Sequence, residues 1–458
     1  MEQHKIAILQ KIRQSSTSIL HKRYVNQIIS AEISTITRYY DTTIQWLPHD
    51  YDCGRILDGL DCPNKSFVNE NEAFPDRFSD RNSRTAIVLN GVFNHHYDIE
   101  HLLNSLKKSI YRTSRIISVM YNPYLSWLYT IATFFGLRKG PLPTTFITRT
   151  DLENILRLSK FELVRTRRAV YLPWRLFGIG DFLNKTLSLI PLIKWLSLTY
   201  IVVLRPIMTE QDQLPSLSCI IPARNEYGNI ENAIKRLPDF PCKLEIIFVE
   251  GNSTDETWQE ILRVKQLYGE QYDIKAFQQT GIGKSNAVRL GFEQASGDLL
   301  TILDADLTMP PELLLRFYQA YCDGHADFIN GSRLVYPMEG DAMRFLNRLG
   351  NVFFARALSW VLDVRLGDSL CGTKLVSRHD YQRMIHWRKD FGDFDPFGDY
   401  ELLFPAAILG LGIIDVPIRY RSRTYGETNI SRFRHGLILL KMTLTALTRI
   451  KIGVVRKV

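Results

Sequence analysis

Residues Leu299–Asp306, with the sequence LLTILDAD, decide how the rest of this chain is interpreted. The apolar run lies between Gly297 and Pro310, and a short run of Leu, Ile and Thr between turn residues is typical of a buried strand. Asp304 and Asp306 follow at a spacing of two, so on a strand both carboxylates would point to the same side. Two like charges held together need a counter-charge, and a divalent cation carrying a diphosphate supplies it. The stretch therefore predicts a site for Mg²⁺ or Mn²⁺ and a phosphorylated ligand; the alternative is a loop with two solvated aspartates.

Length and composition are those of a globular protein of about two or three domains: 458 residues, 45% hydrophobic and 23% charged. The net charge of +9 suits nucleic acid, an anionic membrane face or phosphorylated ligands. No RRM, zinc-finger or helix-turn-helix pattern occurs, so we expect no nucleic-acid partner. The six cysteines show no CxxC pair and no metal-ligand spacing, which fits reduced thiols. Because Met1–Lys5 does not begin a signal peptide, we expect a cytoplasmic location.

The first half alternates between strand-like and helix-like segments, which indicates a parallel α/β layer. Residues 1–50 are predicted to be helical and residues 52–80 to be loop-rich. The apolar stretch Leu187–Leu204 contains Pro191 and Lys194, so we predict a helix followed by a buried strand rather than a membrane span. The other predicted elements are strands at Ala86–Asn90, Arg115–Met120, Phe161–Val164 and Leu198–Leu204 and helices at Asp98–Ile110 and Thr150–Leu158.

Three segments of this half carry a family resemblance: NHHYDIEHLLNSLKKS (94–109), RIISVMYNP (115–123) and RTDLENILRLSKFELVR (149–165). They resemble the later half of a class I S-adenosylmethionine-dependent methyltransferase domain. Such enzymes hold the cofactor with a glycine-rich turn after the first strand, but here only Gly54 and Gly59 stand near that place, without a G-x-G. We therefore expect a methyltransferase-like domain over 1–207 that lacks a cofactor site, with an active methyltransferase as the alternative, and a linker over 208–214.

The second half carries ligand-type residues where its predicted strands end. PARNE (222–226) follows a strand at Leu217–Ile221, and EGNSTDET (250–257) follows one at Leu244–Val249. Ser253 and Glu256 have the spacing of a capping box. GIGKSN (281–286) puts a glycine-flanked lysine at the start of a third helix, and the third strand then ends in the aspartate pair. The carboxyl ends of parallel strands meet at one sheet edge, so this pattern predicts a nucleotide site there.

Seven motifs follow one another in the second half: IIPARNE, VEGNSTDET, GKSNAVRLGF, ASGDLLTILDADLTMPPELL, GSR, CGTK and FGDYELLFPAAILGLGIIDVPIRYRSRTYGETNIS. Taken together and in this order, they resemble a family 2 glycosyltransferase of the GT-A fold. The nearest branch is that of the dolichyl- or polyprenyl-phosphate sugar synthases, over about residues 216–435. There are two departures: Glu250-Gly251 stands where the family usually has an aspartate pair, and Asp399-Tyr400-Glu401 separates acids that are usually adjacent.

This resemblance implies a role for each matching residue. The base and ribose would be held by Pro222, Asn225, Glu226, Glu250 and Asp255. Lys284 would contact the nucleotide or its phosphate, and Asp304 and Asp306 would bind the nucleotide sugar and the metal. Phosphate would be gripped by Arg333 and Arg423, since a guanidinium fork suits phosphate. The alternatives are turn or cap roles for Asn225 and Asp255, a surface position for Lys284 and a structural role for Arg333.

Asp399 and Glu401 are the candidate catalytic residues. In inverting transfer to a hydroxyl group, one carboxylate must take a proton from the acceptor, and Asp399 is our choice for that position. A lipid-phosphate acceptor is already anionic and needs no base, in which case Asp399 would position a basic residue or the sugar.

Two segments, Ala342–Val364 and the C-terminal 434–458, combine apolar residues at helical spacing with basic residues. This pattern is typical of helices lying at a membrane interface, with core helices as the alternative. The resulting hypothesis is an α/β protein with an N-terminal methyltransferase-like domain and a GT-A domain over 215–458. It would transfer a sugar from a UDP- or GDP-sugar to a polyprenyl phosphate at the inner membrane face. A hydroxyl acceptor on a surface glycan and a non-catalytic lipid-binding scaffold remain alternatives.

Overall fold

The computed structural model describes residues 23–47, 55–69, 83–138, 142–190, 193–209, 214–337, 345–391, 398–423, 425 and 432–452. The chain divides into two compact units, Met1–Ile207 (unit 1) and Met208–Val458 (unit 2). Most of the predicted linker, residues 210–213, lies outside the described residues.

Unit 1 alternates helices and strands. Its elements are α1 (23–37), β1 (Thr42–Leu47), α2 (Arg55–Asp58), β2 (Asn64–Asn69), β3 (Thr85–Asn90), α3 (Val92–His95), α4 (Ile99–Lys108), β4 (Arg115–Tyr121), α5 (Ser126–Phe134), α6 (Arg149–Leu158), β5 (Phe161–Ala169), α7 (Ile179–Leu187) and β6 (Thr199–Pro206).

The described strands of unit 1 form one six-stranded sheet in the order β2-β1-β3-β4-β6-β5. The first four run parallel, whereas β6 is antiparallel to both β4 and β5. The predicted helix start at Asp98 is confirmed, because its carboxylate accepts a hydrogen bond of 2.9 Å from His101 N at the first turn of α4. Within Leu187–Leu204 the predicted buried strand is confirmed as β6, whereas the helical part that the structure describes is limited to Leu187, the last residue of α7, and a 3-10 helix at Ile193–Leu196.

Two predictions for unit 1 are wrong: β1 lies in a region expected to be helical, and β2 in one expected to be loop. The sequence of β1 hides its strand character because it buries polar side chains, including Thr43 and Gln45, at 0% exposure. Gln45 Oε1 is satisfied by Leu57 N at 3.2 Å. A strand that buries polar groups has no apolar pattern to reveal it.

Gly59 is one of the two glycines considered for a cofactor turn, and close packing explains why a residue without a side chain stands there. A Cβ at this position would lie 2.9 Å from Ser30 Oγ, so α2 approaches α1 closely here. Gly54 lies outside the described residues.

Unit 2 is also an alternation of strands and helices. Its elements are β7 (Leu217–Ala223), α8 (Ile230–Lys235), β8 (Leu244–Glu250), α9 (Thr257–Tyr268), β9 (Asp273–Gln278), α10 (Lys284–Gln294), β10 (Leu299–Ile302), α11 (Leu314–Cys322), β11 (Phe328–Ser332), α12 (Phe345–Leu362), β12 (Lys374–Ser377), α13 (Arg378–Phe391), α14 (Asp399–Ile408), β13 (Ile413–Pro417) and α15 (Arg432–Ala446).

The described strands of unit 2 form a mixed seven-stranded sheet in the order β13-β11-β12-β10-β7-β8-β9. β10, β7 and β8 are adjacent and parallel, so the loops after them meet at one edge, as predicted. The aspartate pair follows the fourth strand of the unit rather than the third, as predicted from the sequence, since β9 was not among the predicted strands. β9 is an edge strand whose sequence, DIKAFQ, is half polar and has no continuous apolar run.

No helix within the described part of the chain has both the length and the apolar character needed to cross a bilayer. The apolar side chains of unit 2 instead converge on a core between its sheet and helices, where Ile221, Phe248 and Leu303 are fully enclosed.

Candidate active site

The loop after β7 is tied to the loop after β8 by Asn225. Its side-chain oxygen accepts a hydrogen bond from Thr254 N at 2.8 Å, and its backbone N–H donates to Ser253 Oγ at 3.0 Å. Asn225 has a φ of 55°, a left-handed conformation that asparagine tolerates better than most residues. Pro222 precedes it in β7, opposite Val249 of β8. These contacts favour the turn role for Asn225, the alternative to direct nucleotide binding.

The Asp255 carboxylate caps the start of α9. Its Oδ1 accepts from Thr257 N at 3.1 Å and also from the Thr257 hydroxyl. The predicted capping box of Ser253 and Glu256 is wrong, because Glu256 at the helix start makes no side-chain cap bond. Two side chains can cap one helix start, and only the folded loop decides between them.

Glu250, at the end of β8, is 3% exposed. Its carboxylate accepts hydrogen bonds from Ser253 N at 2.5 Å and from Gln278 Nε2 at 3.3 Å. The Glu250 side chain thus joins its own loop to the neighbouring strand β9.

The aspartate pair lies in a turn beyond the strand, since β10 ends at Ile302. The expectation that strand pleating aligns Asp304 and Asp306 is therefore wrong. The turn is fixed by Asp306 Oδ1, which accepts from Thr308 N at 3.1 Å and from Thr308 Oγ1 at 2.8 Å, and by the positive φ of Leu307. Each aspartate has a cationic partner.

Lys284, the first residue of α10, forms an ion pair with Asp304. Burial acts to lower the pKa of Lys284, but the charges of Asp304, Asp399 and Asp306 outweigh it and raise the pKa above its ordinary value. Gly372 allows this approach: a Cβ there would overlap both Lys284 Nζ and the Asp304 carboxylate. The glycine of the CGTK motif thus makes room for the pair.

Asp306 is paired with Arg423, whose NH2 lies 2.6 Å from Oδ2. The NH1 of the same guanidinium lies 3.2 Å from Glu226 Oε1. Arg423 therefore bridges the loop after β7 and the aspartate turn, at a separation of 117 residues from Asp306.

Glu226 is 6% exposed, and its Oε2 accepts a hydrogen bond of 2.7 Å from Asn229. Burial raises the pKa of Glu226 to about 7, although Asn229 and Arg423 act to lower it and the charges of Asp306 and Asp255 reinforce the rise. A carboxyl group with such a pKa changes its charge near neutral pH, as groups in functional sites often do.

The two candidate catalytic acids have different surroundings. Asp399, the first residue of α14, pairs with Lys374 Nζ at 2.5 Å; the Lys374 side chain is 1% exposed and also donates to Cys371 O. Glu401 is held by both nitrogens of one edge of Arg289, with Nε 2.9 Å from Oε1 and NH2 2.6 Å from Oε2. Glu401 thus joins α14 to α10, whereas Asp399 is close enough to Lys284 to influence its pKa.

Arg333 forms a two-point ion pair with Asp368, with Nε–Oδ2 at 2.7 Å and NH2–Oδ1 at 3.0 Å. Asp368 is 0% exposed, and the Arg333 guanidinium also lies 5.5 Å from the centre of the Tyr420 ring. Burial acts to raise the pKa of Asp368, but Arg333 outweighs it and lowers that pKa. These contacts favour the structural alternative for Arg333 over phosphate binding.

Three residues that pair with the predicted side chains, Lys374, Arg289 and Asp368, were not among the sequence predictions. Lys374 could have been selected from the sequence, since it is the last residue of the quoted motif CGTK. Arg289 also lies in a quoted motif, GKSNAVRLGF, but its partner Glu401 is 112 residues away, and Asp368, 35 residues from Arg333, lies in none of the quoted motifs.

The fold brings most of the predicted side chains into one charged cluster: Glu226, Asp255, Lys284, Asp304, Asp306, Asp399 and Arg423. No group of three or more His, Cys, Asp or Glu suited to a metal occurs among the described residues. Two aspartates nevertheless fit Mg²⁺ or Mn²⁺, because such ions are commonly held by one or two carboxylates together with substrate phosphates.

Comparisons with known proteins identify the class. Residues 218–383 match the model of glycosyl transferase family 2. The chain is 30% identical to the dolichyl-phosphate hexose transferase of Haloferax volcanii over 231 residues, which are 49% of this chain and 91% of the relative. It is 29% identical to the dolichol-phosphate mannosyltransferase of Pyrococcus furiosus over 223 residues, 47% of this chain and 59% of the relative. The matched region is therefore of the glycosyltransferase class.

The chain belongs to glycosyl transferase family 2, and all of these matches fall on about half of it or less. Among solved structures, it is similar to glucosyl-3-phosphoglycerate synthase from Mycobacterium tuberculosis in complex with Mn²⁺, uridine-diphosphate and glucosyl-3-phosphoglycerate. That match has 18% identity and a TM-score of 0.37 and covers 53% of this chain and 82% of the other.

Proposed function

We propose that unit 2 is an inverting, metal-dependent glycosyltransferase that moves a sugar from a UDP- or GDP-sugar to a polyprenyl-phosphate acceptor. The observation that carries this proposal is the position of Arg423, which lies 2.6 Å from Asp306 and beside Glu226. A guanidinium next to the expected donor site suits an acceptor phosphate. The names of both relatives described above, a dolichol-phosphate mannosyltransferase and a dolichyl-phosphate hexose transferase, support a polyprenyl-phosphate acceptor.

Asp304 and Asp306 would hold the divalent metal, which when bound supplies charge neutralisation for the leaving diphosphate. Lys284 lies beside Asp304 and would add a fixed positive charge to the same region. The loops after β7 and β8, with Pro222, Asn225, Glu226, Glu250 and Asp255, would surround the base and ribose. A single displacement at the anomeric carbon would then invert its configuration.

Asp399 has a positioning role in this scheme. Its Oδ1 accepts from the buried Lys374, and its charge acts on Lys284, so it orders the basic groups near the donor. A phosphate acceptor is already anionic and needs no base. Transfer to a hydroxyl group of a glycan would instead require Asp399 to take a proton, and that difference separates the two acceptors by experiment.

Contact with the inner face of the membrane is part of the proposal, because a polyprenyl phosphate resides there. α12 packs against α15. Together they expose apolar side chains at helical spacing: Leu349 and Phe353 on α12 and Leu437, Leu440 and Leu444 on α15. The neighbouring Arg348, Arg356 and Lys441 are also exposed, a combination suited to anionic headgroups. Residues 342–344 and 453–458 of the predicted segments lie outside the described residues.

Unit 1 is proposed to be a methyltransferase-like domain without a cofactor. Its order β2-β1-β3-β4-β6-β5, with β6 antiparallel between two strands, is compatible with that hypothesis. Isothermal titration calorimetry with S-adenosylmethionine tests it, and measurable binding would contradict it.

The decisive experiment incubates the purified full chain with a panel of UDP- and GDP-sugars, Mn²⁺ or Mg²⁺, and a polyprenyl phosphate. We expect metal-dependent release of the nucleoside diphosphate and a lipid-linked sugar product. Transfer to glycan hydroxyls but not to the lipid phosphate would contradict the acceptor assignment. Release from no donor would contradict catalysis and favour the scaffold alternative.

A further inference from the structure

Unit 1 carries an apolar surface that faces outward. α5 exposes Trp127, Ile131 and Phe134, which lie on one side of the helix and are 59%, 44% and 83% exposed. The opposite side buries Tyr129, and the sequence SWLYTIATF contains no charged residue. A helix on the surface of a globular domain normally turns polar residues outward. α5 has the reverse arrangement.

The connection between β5 and β6 adds a second set of exposed apolar side chains. Phe177 is fully exposed, and Phe182 on α7 is 66% exposed. Leu176 and Phe177 have φ values of 42° and 55°, a left-handed conformation that favours glycine. The loop therefore holds a large aromatic ring out from the unit in a backbone conformation that such residues rarely adopt.

The two segments belong to one surface. β4 and β5 are both antiparallel to β6, so the chain leaves them at the same edge of the sheet. Asn122 Nδ2 donates to Trp195 O at 2.8 Å, and the Tyr124 and Trp195 rings are 6.3 Å apart. We call this surface the apolar face and define it by Trp127, Ile131, Phe134, Phe177, Phe182 and Trp195.

The charges around the apolar face are predominantly positive. Among the side chains that the structure describes in residues 122–142 and 170–198, three are basic (Arg138, Arg175 and Lys185) and one is acidic (Asp181). Asp181 is itself paired with Arg175 at 3.0 Å, and Lys185 is exposed on α7. Farther in, the Arg168 guanidinium lies 4.8 Å from the centre of the Trp195 ring. The complement of such a surface is apolar in its centre and negatively charged at its margin.

We propose that unit 1 binds the surface of an anionic lipid bilayer through the apolar face. Aromatic side chains are favoured at the boundary between headgroups and acyl chains, and basic side chains beside them meet anionic headgroups. A second copy of the chain is a poorer occupant, because a two-fold contact would set the basic margins against each other. The apolar face belongs to unit 1, whereas α12 and α15 belong to unit 2, and the inference does not depend on catalysis.

The test measures co-sedimentation of the full chain with vesicles of phosphatidylcholine containing about a third phosphatidylglycerol. Phe134→Asp and Phe177→Asp change exposed side chains, so we expect the fold, checked by circular dichroism, to be retained. Each should weaken vesicle binding about tenfold or more, because it removes a large apolar group from the interface. The matched control is Leu158→Asp on α6, a side chain that is 67% exposed but lies outside the apolar face; it should bind as the unaltered chain does.

Equal vesicle binding by the two phenylalanine variants and the unaltered chain would overturn the proposal. So would equal binding to vesicles of phosphatidylcholine alone. If sedimentation velocity without lipid shows an oligomer that the phenylalanine variants dissociate, a second copy occupies the face and the proposal fails. Release of nucleoside diphosphate from a soluble donor is measured on the same samples. Its absence in every sample would refute the proposed function without affecting the vesicle result.

Discussion

Lys374 and Asp399 form a buried ion pair, with Nζ 2.5 Å from Oδ1, that joins the start of β12 to the first residue of α14. The side chains are 1% and 9% exposed. Breaking such a pair by removing one partner leaves an uncompensated charge in the interior, whereas removing both is tolerated far better. This contact gives the first prediction.

Lys374→Met should lower the free energy of unfolding by about 3–5 kcal/mol, because Asp399 is left buried without its cation. The double variant Lys374→Met with Asp399→Leu should recover part of that loss. Urea denaturation of the three proteins measures both effects. A double variant that is less stable than Lys374→Met would show that the pair is not the source of the destabilisation.

Asp306→Asn should reduce metal-dependent donor turnover about 100-fold or more, because the leaving diphosphate loses its charge compensation. Asp323→Asn, at an exposed position after α11, is the matched control and should leave the rate unchanged. Steady-state kinetics at several Mn²⁺ concentrations is the measurement. Full turnover by Asp306→Asn would remove the basis of the enzymatic assignment.

Gly372→Ala should lower kcat/KM for the donor, because the added Cβ would collide with Lys284 and Asp304 and displace both. Gly350→Ala is the control: it lies in α12, and a Cβ there has nothing within 4 Å. Replacing a glycine within a helix by alanine is stabilising, so the control should melt at the same or a higher temperature. If kcat/KM for Gly372→Ala equals that of the unaltered chain, the close approach of Lys284 and Asp304 to Gly372 is not needed for turnover and the prediction is wrong.

Burial raises the pKa of Glu226 to about 7 from an ordinary value of 4.5, so between these two pH values the folded state binds a proton that the unfolded state releases. Stability contributed by this proton is present at low pH and is lost as the pH rises through about 7. Glu226→Gln should therefore flatten the fall in melting temperature across that range. The exposed Glu256, replaced by Gln, is the control and should leave the slope unaltered. If melting temperature falls with pH equally steeply for Glu226→Gln and the unaltered chain, the raised pKa of Glu226 is refuted.

Arg333→Met should destabilise unit 2 by about 3–5 kcal/mol, since Asp368 would remain fully buried without its partner. If Arg333 is structural, the folded fraction of the variant should retain its KM for the donor. A large rise in KM with unchanged stability would instead support the phosphate-binding role implied by the sequence resemblance.

Much of the parallel sheet edge could be predicted because its signals are local. Strands are predicted by the apolar runs at Leu217–Ile221 and Leu244–Val249, and a helix start is predicted by the glycine before Lys284. Each of these signals lies within a few residues of the element that it predicts. Strands without such runs were missed: β1 buries Thr43 and Gln45, and β9 lies at an edge with polar residues. Their strand character comes from the neighbours with which they pair.

The sequence by itself determined that Asp304 and Asp306 follow a buried strand and that a basic motif with Arg423 lies far downstream. Only the tertiary structure decided that they meet. Arg423 binds Asp306 across 117 residues, and the aspartates lie in a turn stabilised by Thr308 rather than on the strand. The physical reason is that sequence patterns report which groups are buried and where an element ends. The partner of each buried charge is fixed only when the loops of different strands are brought to one edge of the sheet.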